Sequence, residues 1–82
     1  MAYTYVIYSA ILDRYYVGHT QDSIEERLRK HISNHDGYTS KAKDWELVFS
    51  KAFDSKKEAH AFERQIKRWK SRKAVEELVF GA

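Results

Sequence analysis

The sequence predicts a small α/β fold of the layered α+β kind: a three-stranded, mostly antiparallel sheet flanked by about three helices, in the order β-β-α-β-α-α. Three observations carry this. Two runs of β-branched and aromatic residues, 3–9 and 14–18, are separated by a short segment. Two Ser-x-x-Glu spacings, Ser23 to Glu26 and Ser55 to Glu58, each open an apolar repeat of helical period. Between them, aromatic and aliphatic residues alternate with mostly polar ones from Trp45 to Phe53.

The first run, Tyr3 to Ser9, and the second, Arg14 to Gly18, have strand composition. Their closeness makes an antiparallel hairpin the simplest connection. Pairing Tyr8 opposite Tyr16 would project both rings from one face, whereas a slip of one residue would put them on opposite faces. Ser23 and Glu26 begin the first helix, whose buried stripe is Ile24, Leu28 and Ile32, and Gly37 is its natural stop. Residues 38–44 read as a loop. Trp45, Leu47, Phe49 and Phe53 then mark a third strand through about residue 53. Ser55 and Glu58 start a helix that turns Ala59, Phe62, Ile66 and Trp69 inward. Ser71 caps a last short helix burying Val75, Leu78 and Val79.

Eighty-two residues suit one domain, 1–82, with a modest core. A 43% hydrophobic share argues against disorder. The chain has no cysteine, which excludes a disulfide framework and a thiolate metal site. It has no long apolar run and no signal-like start, so a cytoplasmic protein with no membrane association is expected. The net charge is only +3, but Arg64, Lys67, Arg68, Lys70, Arg72 and Lys73 form a run without an acidic residue. Such a run fits either a polyanion partner or an ordinary solvated helix.

Several residues have two readings. Tyr8 and Tyr16 are strand-packing residues, or phenols for acid–base work once a cation lowers their pKa from about 10. Gly18 ends a strand, or lets a substrate backbone approach closely. Arg27, His31 and His35 share one helix edge. Arg27 either pairs with a neighbouring glutamate or clamps a phosphate, and the two histidines are candidate metal ligands lacking a third at a recognisable spacing. Glu63 lies on the inward face of its helix, either paired with Lys67 at i+4 or free to hold Mg²⁺.

Together these positions resemble the GIY-YIG endonuclease superfamily. The first motif appears as Val6-Ile7-Tyr8 and the second as Tyr16-Val17-Gly18. The helix signature runs Glu26-Arg27-Leu28-Arg29-Lys30-His31, and the late helix Phe62-Glu63-Arg64-Gln65-Ile66-Lys67-Arg68-Trp69. The likeness spans residues 3 to 79 and is similar to the short stand-alone bacterial type, itself like the N-terminal nuclease module of the excision-repair subunit UvrC. It implies one divalent cation, Mg²⁺ or Mn²⁺, held by Glu63. It implies Tyr8 as general base or water-orienting group, Tyr16 as its assistant, and Arg27 as stabiliser of the charge on phosphorus. His19 and His31 would sit at the rim as phosphate or proton-relay groups. The chain departs from the family pattern in Val6 for Gly, His19 for Lys, and Val75 where some members carry Asn.

The implied function is a metal-dependent endonuclease acting on DNA, more than RNA, in repair or recombination. Gly18, Arg64, Lys67, Arg68, Lys70 and Lys73 would contact the nucleic acid. The alternatives are a non-catalytic nucleic-acid-binding module with the same cleft and, further off, a protein-interaction or toxin-like factor. A module of this size touches few nucleotides, so selection by nucleic-acid shape is expected over strict sequence specificity.

Overall fold

In the computed structural model, residues 1–33 and 37–81 are described. Strand β1 (Ala2–Ser9) pairs antiparallel with β2 (Arg14–Thr20) on one side and with β3 (Glu46–Phe53) on the other, giving the order β2-β1-β3. Helix α1 (Ile24–Ser33) and a 3₁₀ turn (Tyr38–Lys41) precede β3. Helices α2 (Lys56–Arg68) and α3 (Arg72–Phe80) follow it. The element order is the expected one. The one addition is the 3₁₀ turn inside the predicted loop 38–44.

Each helix begins where its serine stands. The hydroxyls of Ser23, Ser55 and Ser71 accept from the backbone N–H of Glu26, Glu58 and Ala74, each at 3.2 Å. This satisfies donors that the first helical turn leaves without partners. Gly37 stands at the start of the 3₁₀ turn with φ 86°, a left-handed value that suits glycine. Helix α1 ends before it, at Ser33.

The sheet is covered on both faces. On one, Tyr5, Ile7 and Trp45 pack with Tyr16, Ile24, Leu28 and Ile32 of β2 and α1. On the other, Val6, Val17 and Ile66 pack with residues of α2 and α3. The predicted stripes of α1 and α3 therefore line the core, though Val75, Leu78 and Val79 are only partly covered. The third strand differs from expectation. Ile7 opposes Leu47 and Val6 opposes Phe49, so one extra residue bulges between them. The bulge reverses the alternation. Trp45 belongs to the α1 face while Phe49 and Phe53 serve the α2 face, where Phe53 meets Phe62 at 5.6 Å. Among the described residues no helix is long and apolar enough to cross a membrane.

The hairpin register is Ile7 opposite Tyr16 and Tyr8 opposite Tyr15. The predicted pairing of Tyr8 with Tyr16 is thus one residue off, and the two rings point to opposite faces. Tyr8 lies against Tyr15 at 4.7 Å and donates to Asp13 at 2.5 Å. Asp13, at φ 53°, also receives Arg72 at 2.6 Å. Tyr8 is thereby occupied in tying the hairpin tip to α3.

Candidate active site at the edge of β2

With Tyr8 turned away, the tyrosine that shares a face with Tyr16 is Tyr5. It is 2% exposed and sits opposite Gly18. The tripeptide that delivers a tyrosine to this place is Tyr3-Thr4-Tyr5, not Val6-Ile7-Tyr8. The Tyr5 hydroxyl lies 2.7 Å from His31 Nε2 and receives Arg27 Nε at 3.3 Å. On its far side His31 Nδ1 meets the Thr39 hydroxyl at 3.1 Å. A tautomer with the proton on Nδ1 satisfies all three contacts: Arg27 donates to Tyr5, Tyr5 donates to His31, and His31 donates to Thr39. Tyr16 packs its ring against His31 at 5.1 Å.

Electrostatics follows from this burial. Burial pushes the Tyr5 phenol up despite the opposing Arg27 bond, so Tyr5 is protonated at neutral pH. Burial, with Arg27 nearby, pushes His31 down to about 4. His31 is therefore neutral and 6% exposed, and the rim position expected for it is corrected. It faces Tyr5, Tyr16, Arg27 and Thr39. The unfolded chain takes up the imidazole proton near its ordinary value of about 6.5. Folding stability is thus undiminished above that pH and falls as pH drops toward 4. Denaturant unfolding near pH 7 and near pH 4.5 should show wild type losing roughly 2 kcal/mol more than His31→Gln over that interval. Equal losses would show that His31 is not held neutral.

The second half of the site comes from the opposite face. His19, Glu63 and His60 gather on the α2 side of β2. His19 Nδ1 meets Glu63 Oε1 at 2.5 Å and its ring stacks on His60 at 4.5 Å. Lys67 Nζ holds Glu63 Oε2 at 2.7 Å and hangs 5.8 Å from the Tyr16 ring centroid. Burial alone would raise the Glu63 carboxyl, but the bonds from Lys67 and His19 outweigh it and keep the group below the ordinary carboxylate range. Glu63 is 8% exposed and ionised, a buried anion with cationic or protic partners on both oxygens.

The two halves meet at β2, an outer strand, where Arg27 of one and His19 of the other line the same cleft. A Cβ on Gly18 would lie 2.5 Å from the Tyr5 hydroxyl. Gly18 is therefore small enough to admit Tyr5. The Glu63 charge acts on the Tyr5 phenol from across this edge. Arg27 lines two clefts beside it. One, of about 470 Å³, includes Tyr16, Lys30 and His31. The other, of about 340 Å³, includes His19 and Lys56. The terminal nitrogens of Arg27 have no hydrogen-bond partner among the described residues, so they are open to an anion.

The structure therefore brings together Tyr16, Gly18, His19, Arg27, His31, Glu63 and Lys67, and it leaves out Tyr8. Of the basic run, Lys67 and Lys70 flank a cavity next to the site with Arg14. Arg64 and Arg68 line a separate hollow on another side of α2. Lys73 is exposed on α3, and Arg72 is turned to Asp13 and Glu76. The run is thus not a single face. His35, a candidate metal ligand, lies outside the described residues. Sequence reasoning missed Tyr5 and His60. The His60-x-x-Glu63 spacing, which puts two ligand types on one helix face, was the available signal for the latter.

Among the described residues His19, His60 and Glu63 each offer one ligand atom, all within 4.8 Å of one another. A carboxylate with two imidazoles fits a divalent cation. Residues 1–76 match the family model described as the GIY-YIG catalytic domain. No curated protein and no solved structure matches the chain significantly.

Proposed function

This chain belongs to the GIY-YIG family of nuclease catalytic domains, and from that premise we propose that it is a metal-dependent DNA endonuclease, selective for nucleic-acid shape, in which Tyr5 rather than Tyr8 is the working phenol. The family assigns nuclease activity on a nucleic-acid phosphodiester and the general use of a divalent metal. The observation that carries the finer reading is that Arg27 of the Tyr5–His31–Arg27 chain and His19, the partner of Glu63, line one cleft at the edge of β2.

Glu63 would hold Mg²⁺ or Mn²⁺, which supplies Lewis-acid stabilisation of the phosphate and the leaving oxygen. The other steps belong to side chains. Because Tyr5 is protonated, it acts as a relay. A water beside it gives its proton to the phenol oxygen as the phenol proton passes to His31 Nε2, while the His31 Nδ1 proton moves to Thr39 and on to solvent in the adjoining cleft, so that the imidazole is never charged. The water oxygen forms a bond to phosphorus, the bond to the 3′ oxygen breaks, and that oxygen takes a proton from solvent. The open nitrogens of Arg27 oppose the charge on the phosphoryl oxygens. Lys30, Lys67, Lys70 and Arg14 border the site on either side of β2 and suit a backbone passing over that edge. Repair or recombination intermediates fit shape selection by so small a surface.

Glu63→Gln is expected to lower cleavage of labelled flap, junction or duplex DNA by about 10³-fold in Mg²⁺ while salt-sensitive binding persists, since a lost metal ligand removes several kcal/mol of charge stabilisation. Undiminished cleavage by the folded variant would refute this reading. A wild type that binds DNA with steep salt dependence but does not cut it in Mg²⁺ or Mn²⁺ would favour the non-catalytic binding module.

A further inference from the structure

We propose that His19 and His60 are ligands alongside Glu63, and that this N₂O set makes the ion site select a nitrogen-accepting first-row cation of the Co²⁺, Ni²⁺ or Zn²⁺ class over Mg²⁺. The inference deepens the nuclease reading and rests on it only in taking Glu63 as the anchoring carboxylate.

Three observations support it. The ligand atoms come from two elements that are fixed relative to each other. His60 and Glu63 lie one helical turn apart on α2, and His19 lies on β2, against which α2 packs. The two imidazole rings are close to parallel, 27° apart at 4.5 Å, and each presents a nitrogen near the same carboxylate. Atoms that share one such ion lie roughly 3.3 Å apart, given bonds of about 2.0–2.2 Å. A spread of at most 4.8 Å is within reach of small side-chain rotations. Finally, His60 is exposed and makes no hydrogen bond to another described residue, so its imidazole is available.

Donor chemistry sets the preference. Mg²⁺ takes oxygen ligands and gives up water reluctantly, so a site with two imidazoles gives it little beyond Glu63. Co²⁺, Ni²⁺ and Zn²⁺ accept imidazole readily. Three protein ligands would leave a four-coordinate ion one position for water or substrate. Lys67 occupies the second Glu63 oxygen as a cation, but it is half-exposed and can swing away when an ion arrives.

Co²⁺ titration of the full chain, followed by its visible d–d absorption, tests this without reference to activity. Wild type should give the intense bands of a low-coordinate ion. His60→Ala, a change at an exposed position, should weaken Co²⁺ binding by at least about tenfold and reduce those bands. Mg²⁺ affinity by calorimetry should shift far less than Co²⁺ affinity in that variant, because Mg²⁺ takes oxygen ligands. If His60→Ala and His19→Ala bind Co²⁺ as wild type does, the imidazoles form only a stacked pair bracing Glu63 and the proposal falls, whatever cleavage shows. If Co²⁺ binding follows the imidazoles while cleavage survives Glu63→Gln, the ion site stands and the catalytic role of Glu63 is what fails.

Discussion

Tyr5→Phe is expected to lower cleavage by about 10²–10⁴-fold, the range for removing a positioned acid–base group, while Tyr8→Phe leaves the rate unchanged. The contrast is sharp because both tyrosines lie on β1, three residues apart, and face opposite sides. Tyr5 is bonded to His31 and Arg27, and Tyr8 to Asp13 at the hairpin tip. Loss of the Tyr5 hydroxyl would leave His31 Nε2 and Arg27 Nε without their shared partner in a buried place. A stability loss of about 1–3 kcal/mol should therefore accompany the kinetic one. Single-turnover cleavage at saturating protein, with denaturant melts of both variants, separates the two effects. A Tyr5→Phe protein that is folded and fully active would return the reaction to a phenol elsewhere.

Gly18→Ala is the second large effect. The added methyl would sit 2.5 Å from the Tyr5 hydroxyl and 2.7 Å from the ring carbon that bears it, both deep in the core. The ring cannot yield without breaking its bonds to His31 and Arg27. Overpacking of this kind costs about 1–3 kcal/mol. Cleavage should fall to the level of Tyr5→Phe, and combining the two substitutions should cost little further activity, because both disable one group. Additive losses in the double variant would show that Gly18 serves the substrate directly.

The elements were legible in the sequence because their signals are local. Serine caps, apolar repeats of period 3.6 and strand composition each act within a few residues. The Arg27/His31 helix edge and the inward placement of Glu63 were likewise read from helical spacing alone. The strand register was not legible, for a physical reason. Central strand β1 is buried on both faces, so Thr4, Tyr5, Val6 and Ile7 are all covered, and its sequence carries no alternation to say which side a tyrosine takes. The bulge near Val48 hides the phase of β3 in the same way, since an extra residue leaves no mark on composition. His60 was overlooked because an exposed histidine on a polar helix face looks ordinary until the fold brings β2 beside it.

Under the proposed function, drawing the reacting groups from both sides of one sheet would give this protein two separable capacities. The proposed ion ligands belong to β2 and α2, which pack through fully buried residues such as Ala59 and Ile66. Arg27 and His31 belong to α1, where His31 is the one buried residue among the described residues. Helices held by fewer buried apolar groups open at lower free energy than the body of a fold. Excursions of α1 would disarm the proton path and the phosphate clamp while leaving the cation pocket assembled. On the proposed reading, the ion would stay bound while α1 opens, and cleavage would require the α1 layer to be closed.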